Sequence, residues 1–122
     1  MSTTLRDRLR NLFGRTDEGA RLKATVDTSQ AIAMVRDGAA LLDVREPHEW
    51  RAGHAPQAIH VPLGQLDKAQ RRLPKDGPVL VMCASGMRSR TAAKRLRALG
   101  LEAASVSGGL TAWQQAGGAV RR

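Results

Sequence analysis

The sequence predicts an α/β domain, built as a small parallel β-sheet with helices on both faces. Three observations carry that expectation. Short strand-like runs alternate with helix-patterned segments from residue 24 onward, with glycines and prolines at most junctions. The run over residues 40–44 is apolar almost throughout, as in a parallel strand buried on both faces. The chain has 122 residues, enough for one core and too few for two.

Residues 24–26 form a brief strand, and Thr28 or Ser29 caps a helix that runs to about Asp37 and stops at Gly38. In the strand over 40–44 the apolar run is broken by Asp43, whose carboxylate needs a partner there; Arg45 or a nearby N–H supplies one, as a structural ion pair. Pro47 opens a helical turn containing Trp50 and ended by Gly53. A short strand over 59–61 leads to a helix over 64–73, which Pro74 ends. Residues 78–83 form a strand and 89–99 a helix with Ala92, Leu96 and Leu99 on one face, closed by Gly100. The last strand covers 103–106, and Gly108-Gly109 precedes a helix to about Gln115. With two tryptophans, one phenylalanine and no tyrosine, the core must come from Leu, Val, Ile, Ala and Met. Trp50 and Trp113 read as plugs over helix ends, and His54 and His60 as turn or packing residues.

Residues 1–23 read as a separate basic extension, the main domain beginning at 24. Leu5, Leu9, Leu12 and Phe13 recur at helical spacing among arginines, and Gly14 and Gly19 loosen the connection to the main domain. Such a helix docks on its own domain, rests on an anionic membrane surface or addresses a partner. The net charge is +9, of which the extension carries +3. Much of the rest lies beyond residue 83, in Arg88, Arg90, Lys94, Arg95 and Arg97. A field of this sign gathers anions. No finger, basic zipper or aromatic stacking signature points to nucleic acid, so a small anionic substrate is the simpler partner. His48, His54 and His60 lack metal-ligand spacing, and neither a metal nor a cofactor is expected. No apolar stretch reaches the roughly 18 residues of a spanning helix, and no secretory h-region stands at the N-terminus. One cysteine excludes an internal disulfide and suits a reducing, cytoplasmic setting.

That cysteine, Cys83, ends a hydrophobic run and starts the loop Ala84-Ser85-Gly86-Met87, followed by Arg88 and Ser89 where a helix begins. Inward-facing N–H groups of such a loop, with the positive end of the helix, favour thiolate over thiol. Cys83 is therefore the candidate nucleophile. A buried structural cysteine is the alternative. Ser85 and Ser89 are placed to hydrogen-bond a bound anion, and Ser89 equally to cap the helix.

Four ordered motifs, residues 41–46 (Leu-Leu-Asp-Val-Arg-Glu), 53–56 (Gly-His-Ala-Pro), 83–89 and 108–113 (Gly-Gly-Leu-Thr-Ala-Trp), together resemble a single-domain rhodanese, or thiosulfate sulfurtransferase-like protein. The resemblance implies a five-stranded parallel sheet sandwiched by helices, and transfer of a sulfane sulfur through a cysteine persulfide. Carried over by position, Cys83 is the persulfide carrier. Ala84, Ser85, Gly86, Met87 and Ser89 line the cradle, and Arg88 holds the anionic donor. The implied partners are a small anionic sulfur donor, a thiol or cyanide acceptor, and a sulfur-relay protein. Ala84 and Ser85 stand where tandem-domain thiosulfate enzymes carry basic residues, which makes persulfides or a cysteine desulfurase alternative donors. Ala55 and Gln57 replace the usual Ile and Gly of their turn.

Three functions are compatible with these residues. The first is a sulfurtransferase cycling Cys83 between thiolate and persulfide. The second is a rhodanese-type carrier or interaction module with little turnover on small donors. The third is a phosphatase or arsenate reductase of the same fold. Phosphatases of this kind place five residues between Cys and Arg, whereas four lie between Cys83 and Arg88. The shorter loop suits sulfur better than a tetrahedral phosphate.

Overall fold

The computed structural model describes residues 22–122, so the helix expected near residues 5–13 lies outside the described residues. Strands β1 (Thr25–Val26), β2 (Ala40–Asp43), β3 (Ile59–His60), β4 (Val79–Met82) and β5 (Ala103–Val106) form one sheet in the order β1-β5-β4-β2-β3. Every pairing is parallel. Parallel neighbours need crossovers. These are α1 (Thr28–Arg36), α2 (Pro47–Ala52), a 3-10 stretch (Leu63–Arg71) and α3 (Met87–Ala98), and α4 (Gly109–Gln115) comes after the last strand.

The two-residue period of the strands sorts the core into two layers. Leu41, Leu80, Met82, Ala104 and Val106 face α1 and Trp113, with Ala31, Met34 and Val35 against them. Leu42, Val79, Val81, Cys83 and Ala103 face the other way, toward Ala92, Ala93 and Leu96 of α3 and Leu66 and Ala69 of the 3-10 stretch. Strand parity thus brings Cys83 onto the α3 side.

The expectations for the start of α1 and for residues 64–73 shift. The α1 cap is Asp27, one residue before the expected Thr28. Its carboxylate accepts from Gln30 N at 2.8 Å while Gln30 Oε1 accepts from Asp27 N, a capping box. The α-helix expected over 64–73 is instead 3-10, with Gln65 outside helical geometry. Leu66 and Ala69, three apart, still share a face, which a three-residue turn preserves. Trp113 is the buried plug foreseen, its Nε1–H donating to Ala119 O at 2.9 Å.

Trp50 is not a plug. No residue of α2 is buried, and Trp50 is half-exposed rather than part of the core. It stacks on two imidazoles instead, its centroid 3.6 Å from that of His54 and 4.7 Å from that of His60, nearly parallel to both. His54 Nδ1 bonds Trp50 O at 2.8 Å and His60 Nε2 bonds Arg45 O at 2.7 Å. A carbonyl only accepts, so each of those ring nitrogens carries the proton.

Asp43 and Arg45 form the structural pair anticipated. Arg45 Nη2 donates to Asp43 Oδ2 at 2.8 Å and Nε to both carboxylate oxygens, with both residues buried. Removing one charge strands the other away from water. Asp43→Ala should therefore lower stability by about 3–5 kcal/mol, read from urea-unfolding midpoints at constant slope. A loss below about 1 kcal/mol would be that of an exposed pair instead.

Candidate active site

The carboxyl ends of β2, β4 and β5 converge where ligands bind in open α/β sheets. Cys83 comes directly after β4, and its loop runs to Gly86, the N-cap of α3. Gly86 has φ 114°, a left-handed conformation that glycine adopts without strain and that points its N–H back at the sulfur, 3.0 Å from Cys83 Sγ. The carbonyls of the same loop are held the other way. Leu110 N donates to Cys83 O at 2.8 Å and Thr111 N to Ala84 O at 3.4 Å, so the start of α4 draws both oxygens outward. Gly109 makes this approach possible, since a Cβ there would collide with Cys83 O and Ala84. The double glycine at 108–109 therefore serves the loop as well as its own helix.

Cys83 is 1% exposed and sits on the α3 side of the sheet. Burial pushes its thiol up. The Ser89 hydroxyl and the backbone N–H groups of Ser89, Gly86 and Ser85 pull it down further, leaving it below its ordinary value. The surroundings of the sulfur are thus amides and hydroxyls on one side and aliphatic groups on the other.

Ser89 is not the cap of α3: it is the third residue of the helix and fully buried. Its Oγ lies 3.5 Å from Sγ, 3.1 Å from Gly86 O and 2.7 Å from Ser105 Oγ. The three bonds allow two proton arrangements. With the sulfur ionised, Ser89 donates to it and Ser105 donates to Ser89. With the sulfur protonated, the thiol donates to Ser89, whose own proton turns to Gly86 O. Ser105 gave no signal in the sequence beyond strand parity: two residues after Ala103, it must face the same helix.

Arg88 is half-buried and engaged. Its Nη1 and Nη2 donate to Glu49 Oε1 and Oε2 at 2.7 and 2.9 Å, a two-pronged grip. The Arg88 guanidinium draws the Glu49 carboxyl down to about 2, and Glu49 raises the arginine in turn. Glu49 is a site residue that sequence reasoning missed. Of the remaining loop residues, Ala84 is half-buried, and Ser85 and Met87 are exposed at the rim. Among the described residues no cluster of His, Cys, Asp or Glu is suited to a metal ion.

Residues 27–116 match the rhodanese-like domain family. "Putative sulfurtransferase YtwF" of Bacillus subtilis is 39% identical over 74 residues, which are 61% of this chain and 72% of that protein. Among solved structures, a rhodanese-related protein from Thermoplasma volcanium is similar with a TM-score of 0.73 and 30% identity, over 81% of this chain and 98% of that one. A thiosulfate sulfurtransferase from Pseudomonas aeruginosa has the same TM-score at 26% identity, over 83% of this chain but 20% of that one.

The hydroxyl arrangement makes a prediction. Ser89→Ala removes the largest influence lowering the Cys83 thiol, and Ser105→Ala removes the donor behind it. Thiolate absorbance near 240 nm, tracked against pH, should shift its midpoint upward in Ser89→Ala and by a smaller step in Ser105→Ala. Ser105→Thr should restore the original midpoint. An unmoved midpoint in Ser89→Ala would remove the hydroxyl from the ionisation of the sulfur.

Proposed function

The chain belongs to the rhodanese-like domain family, and on that premise we propose that it is a sulfurtransferase carrying a sulfane sulfur on Cys83 from a small anionic or persulfide donor to a thiophilic acceptor. One observation carries the reading: the Gly86 N–H stands 3.0 Å from Cys83 Sγ, in a loop whose Cys83 and Ala84 carbonyls are bound by α4. A sulfur so placed is ready to be an anion, first as thiolate and then as persulfide.

The cycle has two displacements. Cys83 thiolate attacks the outer sulfur of the donor, forming a new S–S bond as the donor's own S–S bond breaks. The leaving group, sulfite if the donor is thiosulfate, departs with the bonding pair. A thiol or cyanide acceptor then attacks the outer sulfur of the persulfide and regenerates the thiolate. Charge on the leaving group is what the protein must stabilise, and Arg88, held by Glu49, is the cation that the loop supplies. No proton-transfer residue is required when the thiol is already ionised.

A second reading has an observation in its favour. Cys83 is 1% exposed and Arg88 is occupied, both of which suit a carrier that receives sulfur from a relay protein and turns over small donors slowly. The exposed rim at Ser85 and Met87 is where either kind of donor would enter. Phosphatase chemistry is disfavoured by the four-residue spacing from Cys83 to Arg88. Among the described residues no helix is long and apolar enough to cross a membrane. A cycle that needs a free thiol fits the cytoplasm.

Incubation with thiosulfate should add the mass of one sulfur atom to the intact protein, and cyanide should release it as thiocyanate. Cys83→Ser should abolish both; retained turnover would refute the sulfur reading. A mass gain with negligible turnover would favour the carrier. Arg88→Ala should cut kcat/KM for thiosulfate by about 10²-fold or more and leave a neutral donor far less affected. Equal losses on both would remove Arg88 from its assigned role.

A further inference from the structure

We propose that Glu49 is a specificity-determining residue of this site: by occupying Arg88 it turns the site against dianionic sulfur donors such as thiosulfate and toward organic hydropersulfides. This inference rests on the sulfurtransferase reading above and assigns that reaction its donor class.

The geometry is that of a competitor. An arginine holds a sulfonate or carboxylate through two parallel N–H···O bonds, and Glu49 already makes both, at 2.7 and 2.9 Å. The carboxylate is not free to swing away. Its Oε1 also accepts from Glu46 N at 2.9 Å, closing the capping box at the start of α2. The backbone behind it is tied down too, since Arg45 Nη1 donates to Glu49 O at 3.3 Å and Nη2 to Gly53 O at 2.7 Å. Whatever this partly buried, two-pronged pair adds to folding, it also places the charge of Glu49 beside the nucleophile.

The charges of the reacting groups set the preference. When the thiolate meets thiosulfate, those groups carry three negative charges throughout, and the three leave as the persulfide anion and sulfite. Arg88 alone would offset one of them; Arg88 paired with Glu49 offsets none, and Glu46 adds to the negative side. With a hydropersulfide R–S–SH, the Cys83 thiolate attacks the terminal sulfur and the S–S bond joining that sulfur to R–S breaks. R–S⁻ leaves with the bonding pair, and the proton stays on the transferred sulfur. One negative charge is present from start to finish, or two when the donor reacts as R–S–S⁻, against three with thiosulfate. Nothing further is oxidised or reduced, and no other reactant is consumed.

Glu49→Gln tests this directly. The amide keeps an oxygen to accept from Glu46 N, so the start of α2 is retained, while the charge is lost. With cyanide as common acceptor at low salt, kcat/KM is measured for thiosulfate and for cysteine hydropersulfide. The ratio of thiosulfate to hydropersulfide should rise about tenfold in the variant, and the rise should shrink at high salt. Glu49→Ala, checked by its melting curve, should move the ratio the same way if the Gln variant folds poorly. An unchanged ratio, with the Cys83 persulfide still detected by intact mass, would overturn the role of Glu49 and leave the sulfurtransferase standing. Failure of either donor to load sulfur on any of these proteins, the unsubstituted one included, would overturn the functional reading itself, and this inference with it.

Discussion

The geometry at the carboxyl end of the sheet depends on one buried ion pair. Asp43 ends β2, and the Arg45 guanidinium directs its donors to that carboxylate and to the carbonyls of Glu49 and Gly53. Two charges removed from water are favourable only when every polar atom finds a partner, and among the described residues no buried side-chain nitrogen or oxygen lacks one. The consequence reaches the chemistry. Arg45 ties the carbonyls of Glu49 and Gly53 to the end of β2, α2 places Glu49, and Glu49 holds Arg88 beside the cysteine loop. A charge that looks like an interruption of β2 sets the electrostatics of a loop on the neighbouring strand.

The loop itself resolves a conflict between burial and ionisation. A sulfur that is 1% exposed should resist becoming an anion. The amides of Ser85, Gly86 and Ser89 and the Ser89 hydroxyl outweigh that cost. They are available because α4 takes the carbonyls of Cys83 and Ala84 as its own acceptors. Oriented backbone dipoles need no reorganisation when charge appears or moves, which is why they stabilise it efficiently. The serine pair adds a reversible element. One rotation of the Ser89 hydroxyl lets the same atoms satisfy either the thiol or the thiolate.

Legibility in the sequence was local or periodic. The strands stood out as apolar runs, and the fold class came from their alternation with helices. The Cys83 loop was legible because its glycine, arginine and serine are neighbours in the chain. Short-range competition blurred the edges: Asp27, Thr28 and Ser29 are three adjacent capping residues, and only the geometry of Gln30 selects the first. Trp50 was misread because its burial depends on what α2 faces, and it faces His54 and His60. Glu49 and Ser105 were invisible for a common reason. Each acts through a partner 39 or 16 residues away, and no spacing rule encodes such a pairing.

The strong positive charge of the chain and the neutralised arginine at its site are reconciled by distance. Net charge acts over a Debye length, and Arg90, Lys94, Arg95 and Arg97 are exposed along α3, where they attract anions of any kind. Contact chemistry acts over a few ångströms, where Arg88 and Glu49 cancel. A basic surface therefore raises the rate of encounter without choosing among donors, and the choice is left to the pair at the rim. If both scales carried the same sign, sulfate, phosphate and nucleotides would occupy the site as readily as a sulfane donor. A local carboxylate inside a cationic field separates being attracted from being bound.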